Sequence, residues 1–175
     1  MSYYFMKGVN ELSLNGYSGL NEDWLNALVF IHVLSAIIGI GPTYFAHVLL
    51  RRGQNFGQLR NSIGLLPKLE KFPKLLGSVA VLSGLLLAWL GDYGFKELWI
   101  YGSIAIYVLI QIVVIAFMSP AAQKLSVKVL AATDTAEQSV SPELAAEIAK
   151  VNKINYVATS LGVLLFLFMF FKPTL

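Results

Sequence analysis

The chain holds two imidazoles, His32 and His47, and both lie in one stretch, Trp24 to Arg52, reading WLNALVFIHVLSAIIGIGPTYFAHVLLRR. Imidazole is the commonest metal ligand and the side chain that most easily exchanges a proton near neutral pH. His32 stands eight residues inside Trp24, roughly 12 Å along a helix. An ionisable group at that depth in an apolar segment is costly against lipid, so it is expected to face the protein interior. Three roles are open to it: ligand to a haem iron or other metal, proton-handling group, or neutral histidine bonded to a neighbouring helix. His47 sits near the other end of the stretch, beside Arg51. It suits a structural or headgroup contact better than a cofactor contact, and is the weaker ligand candidate. Fifteen residues separate the two, about 22 Å along a helix, too far to ligate one iron from one chain. Two haems, one near each face, would each take a second ligand from a partner chain, from Met118 or Met169, from tyrosine or from water.

Other chemistry is sparse. The absence of cysteine excludes disulfides, thiol catalysis and zinc knuckles. No glycine-rich phosphate loop, HExxH or nucleophile-elbow sequence occurs, and no carboxylate pair lies inside an apolar segment. Motifs therefore assign no enzyme class. The net charge of +3 is accounted for by basic loops in so apolar a chain, and nucleic acid is not an expected partner.

The elements that must position His32 are membrane helices. Hydrophobic residues make up 57% of the chain and charged residues 13%, against about 25% charged in soluble domains. Mean hydropathy is +0.67. Ala27 to Ala46 is a run of twenty residues without a charge, enough to cross the ~30 Å apolar core of a bilayer. The expected fold is all-α: one membrane domain over residues 1–175, a bundle of four spans at about 24–50, 75–90, 98–118 and 154–171. Residues 1–23 read as a short extramembrane arm. Pro42, after Gly39 and Gly41, should break or loosen the first span, and Thr43 could satisfy part of the freed backbone. Gly77, Ala80, Gly84, Ala88 and Gly91 recur at spacings of three and four, a small-residue stripe for close packing or for a flat cofactor.

The connector 51–74 carries six basic residues, and Pro67 and Pro73 interrupt it. Its apolar residues, among them Phe56, Leu59, Ile63, Leu65 and Phe72, suggest that it lies at the headgroups and binds anionic lipid. In the connector 119–153, Ser119-Pro120 and Ser141-Pro142 both read as helix starts, and Lys124 and Lys128 share a face. A helix from Pro142 should run straight into the fourth span, with Glu147 pairing to Lys150. The two long connectors hold ten of the thirteen basic residues. They are expected in the cytoplasm, with both termini outside. Trp24, Trp89 and Trp99 then share the outer interface, where indoles prefer to sit.

Phe30-Ile31-His32-Val33-Leu34-Ser35-Ala36, with Gly39, Gly41 and Tyr44-Phe45 after it, resembles the opening helix of a bacterial superfamily. That superfamily includes the copper-resistance D-type membrane domain, the haem-dependent membrane protoporphyrinogen oxidases and related uncharacterised four-helix proteins. The resemblance covers about twenty residues. It implies a bacterial cytoplasmic membrane, haem b, and an axial-ligand role for His32. The chain has no lysine in its third span and no arginine between Phe45 and Arg51, two departures that bear on the oxidase activity more than on the haem binding that the resemblance implies.

Three function classes follow. One is a b-type haem protein for redox work or haem sensing, with the second ligand admitting a homo-oligomer. Another is a small permease gated at the Gly39–Pro42 break. The third is a non-catalytic subunit that docks through the stripe of the second span.

Overall fold

A computed structural model describes the backbone of residues 2–90 and 97–174, with side chains from residue 23 onward. The helices in order are α1 (Ser2–Tyr44), α2 (Ala46–Leu49), α3 (Phe56–Leu69), α4 (Lys71–Leu90) and α5 (Leu98–Ile112). A π-helical segment (Val113–Met118), α6 (Ser119–Ala131) and α7 (Pro142–Phe171) follow. Four stretches are long and apolar enough to cross a membrane: Asp23–Leu49, Phe56–Leu90, Leu98–Ala131 and Pro142–Phe171. The expected all-α, four-span membrane fold is found, with no strand among the described residues. Residues 2–23 are not a separate arm: their backbone is the start of α1, continuous with the first span, while the turn at 91–96 lies outside the described residues.

The spans associate as two antiparallel pairs, α1 along α4 and α5 along α7. Small residues make the first pairing. A Cβ placed on Gly39 would stand 2.9 Å from the Gly77 nitrogen, and one on Gly84 would stand 2.7 Å from Cε1 of His32. The small-residue stripe of α4 is therefore filled by α1 of the same chain. It is not the free docking face that the subunit reading expected. In α5 and α7, Gly102 receives the Phe168 ring, with a Cβ there 2.7 Å from its edge. The two pairs touch where the Tyr44 hydroxyl rests over Gly162. The proline break takes a definite form. Thr43 Oγ1 donates to the Ile40 carbonyl at 2.6 Å, Phe45 N donates to the Pro42 carbonyl at 3.2 Å, and α1 stops at Tyr44.

The connectors depart most from expectation. Phe56, Leu59 and Ile63 do not face headgroups. They are buried with Leu50, Leu125, Val129, Leu144, Ile148 and Val151 in one apolar cluster. The reason is that α6 and the first turns of α7 carry a matching apolar stripe, and burial against it removes more surface from water than an interfacial position would. Leu65 and Phe72 stay exposed. Pro67 lies inside α3, Pro73 falls in the first turn of α4, and the break comes between them at Glu70. Ser119 does not cap a new helix, because its backbone is helical on both sides. Pro120 would press its ring on the carbonyl four residues back, and the backbone widens into the π turn just before it. π turns are a recognised way for a helix to absorb such a misfit. Ser141 does cap α7, accepting from Leu144 N at 3.3 Å.

The segment after α6 is tied across the start of α3. Phe56 N donates to the Gln138 carbonyl at 2.8 Å, and Gly57 N to Ala136 at 3.0 Å. Arg60 donates to the Ala132 carbonyl at 2.8 Å and lies over the Phe56 ring. Asn55 and Gln58 close a capping box at the same end. First-turn N–H groups that a helix leaves orphaned thus bind the second connector to the first.

Candidate functional site

His32 is half-buried on the face of α1 turned to α4. Its Nδ1 is 2.7 Å from the Ala80 carbonyl oxygen and 3.3 Å from Ser83 Oγ. A carbonyl only accepts, so Nδ1 carries the proton. Ser83 sends its own proton to the Val79 and Ala80 carbonyls at 2.7 and 3.0 Å, which leaves its oxygen free to accept from His32 as well. The neutral ring then keeps its lone pair on Nε2. This is the interhelical bond expected of the third role for His32, and it leaves the other two open, because ligation and proton uptake both occur at Nε2. The missing Cβ of Gly84 is what lets the ring lie there.

Among the described residues no group of three or more His, Cys, Asp or Glu side chains converges, so a bare ion lacks ligands. Haem iron needs less, since the porphyrin supplies four nitrogens and one histidine can hold the axis. A histidine that donates its other N–H to a backbone carbonyl is the usual arrangement of such a ligand. In donor chemistry His32 fits.

His47 occupies a different place. Its ring is 5.5 Å from that of Tyr156 on α7, tilted by 38°, while His32 is held by α4. The two histidines are not brought together. The antiparallel contact of Gly102 with Phe168 puts Met118 level with the residues near Leu50, some 27 Å along the bundle from His32. Met118 therefore drops out as a second ligand within the chain. Met169, near the opposite end of α7, does not.

Sequence reasoning missed a set of buried polar groups. The Tyr44 hydroxyl, Ser103 Oγ and Asn155 Nδ2 are buried and have no protein partner. Asn155 is only 3% exposed. An unpaired polar atom in a membrane interior is expensive. The available signal was a strongly polar residue opening the apolar run of the fourth span. Asn152, one turn earlier, donates to the Leu50 carbonyl at 2.8 Å, and Gln54 donates to Leu49 at 2.6 Å. Two amide side chains thus satisfy the carbonyls that end α2.

At the connector end, Lys124 and Lys128 share a face as expected, but their partners lie across the helix interface. Glu147 binds Lys124 at 2.7 Å and Lys128 at 3.2 Å, and Glu143 binds Lys128 at 2.6 Å. The anticipated Glu147–Lys150 pair does not form among the described residues, because the carboxylate is engaged by α6. Hydrogen bonds from Lys128 hold Glu143 below the usual carboxylate range, and those from Lys124 and then Lys128 do the same for Glu147. The bonds to Glu143 and Glu147 push Lys128 up.

No curated protein and no solved structure matches this chain. A family model described as "predicted integral membrane protein (DUF2269)" matches residues 26–173, from the first span through the last. With four membrane-crossing helices in the fold and that match over most of its length, the chain belongs to the DUF2269 family of predicted integral membrane proteins.

Proposed function

We propose that this is a four-span protein of a bacterial cytoplasmic membrane that holds a b-type haem through Nε2 of His32, for a redox or haem-sensing role. The observation that carries the reading is the 2.7 Å bond from Nδ1 to the Ala80 carbonyl, which fixes the tautomer a ligand needs. The resemblance of Phe30–Ala36 to the opening helix of the superfamily that includes the haem-dependent membrane protoporphyrinogen oxidases supports it. When bound, the haem would supply one-electron chemistry at iron. The chain's own part is positional. Ala80 and Ser83 orient the imidazole, Gly84 makes room for it, and the apolar span excludes water from it. Met169 is the second-ligand candidate within the chain. The basic connectors place themselves in the cytoplasm by the positive-inside rule, with the tryptophans at the outer interface.

The test is the absorption spectrum of the purified protein, oxidised and dithionite-reduced, beside that of His32→Ala. The expected result is a Soret band with reduced α and β bands, lost in the variant. A band that survives in His32→Ala overturns the ligand assignment. A colourless protein from haem-replete cells overturns the reading, and ion translocation past the unpaired Tyr44, Ser103 and Asn155 groups becomes the better account.

A further inference from the structure

A cavity of about 500 Å³ lies at the connector end, away from His32. Arg51 and Arg52 form one wall, and Ala145, Ala146 and Ala149 of α7 form the floor. We propose that this groove is a binding site for one anionic phospholipid, with its phosphate between the two guanidinium groups and the start of an acyl chain along the alanines. The proposal stands apart from the haem reading.

The charge pattern of α7 carries the argument. Glu143 and Glu147 point to α6, where Lys124 and Lys128 neutralise them. The alanines lie on roughly the opposite side of the same turns, as a 3.6-residue repeat requires. Lys153 follows one turn beyond on the alanine side. Arg51 and Arg52 are exposed and enter no ion pair among the described residues. Glu137 lies two residues before Ser139 of the lining and enters no ion pair among the described residues. Among the described residues no carboxylate is within ion-pair distance of either guanidinium. Guanidinium forks suit phosphate oxygens. The position also fits: Arg51 and Ala149 of the lining stand one residue and one turn from Leu50 and Asn152, whose hydrogen bond marks where the first span ends and α7 enters its apolar run. Residues at the end of a span are where lipid headgroups would lie. The apolar floor separates a lipid from free phosphate, which would have no use for it.

The experiment is native mass spectrometry of the full chain in detergent, titrated with dioctanoyl phosphatidylglycerol, with dioctanoyl phosphatidylcholine and with inorganic phosphate. One saturable phosphatidylglycerol adduct is expected, at least tenfold tighter than phosphatidylcholine. Arg51→Ala with Arg52→Ala should weaken it roughly thirtyfold, about fivefold for each basic side chain near a lipid surface. Both residues are exposed, so folding should persist. If it does not, Ala149→Leu, which fills the floor and keeps the arginines, must weaken the adduct instead. Saturable phosphate binding that displaces the lipid and ignores Ala149→Leu overturns the lipid assignment in favour of a free anion. Equal, unsaturated binding of phosphatidylglycerol to wild type and both variants overturns the site altogether.

Discussion

The α1–α4 pair and the connector end bury opposite kinds of residue. Between α1 and α4 the buried positions are small, Ser35, Gly39, Ala80 and Ser83, while Leu82, Leu85 and Ile37 face outward. At the connector end the buried positions are large, Phe56, Leu59, Leu125 and Ile148, and the charges face outward. The difference follows from the solvent. In lipid there is no hydrophobic gain in turning a leucine inward, so helices approach through small residues. In water burial of apolar area drives packing. One chain thus folds by two rules, and the boundary falls near Leu50.

The sharpest way to break that comparison is to shorten one large residue on each side of the boundary. Leu125→Ala should destabilise the connector end by about 2–5 kcal/mol, as buried leucine truncations do. Leu82→Ala, at a lipid-facing position, should change stability by no more than about 0.5 kcal/mol. Amide hydrogen exchange reads both. Loss of protection after Leu125→Ala should stay within α3, α6 and the first turns of α7. Equal loss throughout the spans would show that the two regions unfold as one unit.

Adding a methyl group should have the reverse pattern. Gly39→Ala places a Cβ 2.9 Å from the backbone nitrogen of Gly77, and a backbone neighbour cannot swing away. A cost of about 1–3 kcal/mol is expected, as for overpacked cores. Gly41→Ala is the control, since a Cβ there meets nothing within 4 Å. It should be neutral or gain up to about 1 kcal/mol from helix propensity. Thermal unfolding in detergent separates the two. Similar midpoints for both variants would mean that α1 and α4 are not held by close backbone contact.

The same division explains what could be read in advance. Spans are legible because twenty uncharged residues in a row have few other uses. The stripe Gly77–Ala80–Gly84 was legible as a packing face, though not as one that α1 would fill, because a stripe does not name its partner. The partner of the α3 apolar face was not legible, because an amphipathic helix looks the same at a lipid surface and against another amphipathic helix. Only the joint presence of Phe56, Leu59, Leu125 and Ile148 in one cluster decides it. His32 was legible as an inward-facing group. Its tautomer was not, since that rests on a carbonyl of Ala80, forty-eight residues away, and any residue type could have supplied that oxygen.

The smallest expected effect belongs to the outer charges of the connector end. Glu143 and Glu147 titrate below the usual carboxylate range because lysines of α6 bond them. Their unfolded forms therefore bind protons first as pH falls, and the stability they contribute at neutral pH is lost as pH drops through that range and below it. Lys128 is shifted upward, so its contribution is complete below the ordinary lysine value and fades only as pH rises past it. Between the two limits stability should be flat. Glu143 and Lys124 are solvated while Glu147 is mostly covered, so salt should shrink the Glu143 part of the effect most. Glu147→Gln keeps the shape and removes the charge that both lysines share. Its unfolding midpoint should converge on that of wild type as the buffer is taken from pH 6 to pH 3, and exchange in α1 and α4 should not follow the same curve. Parallel curves for wild type and variant would mean that the contacts cost as much in desolvation as they return, leaving the apolar cluster alone to hold α6 against α7.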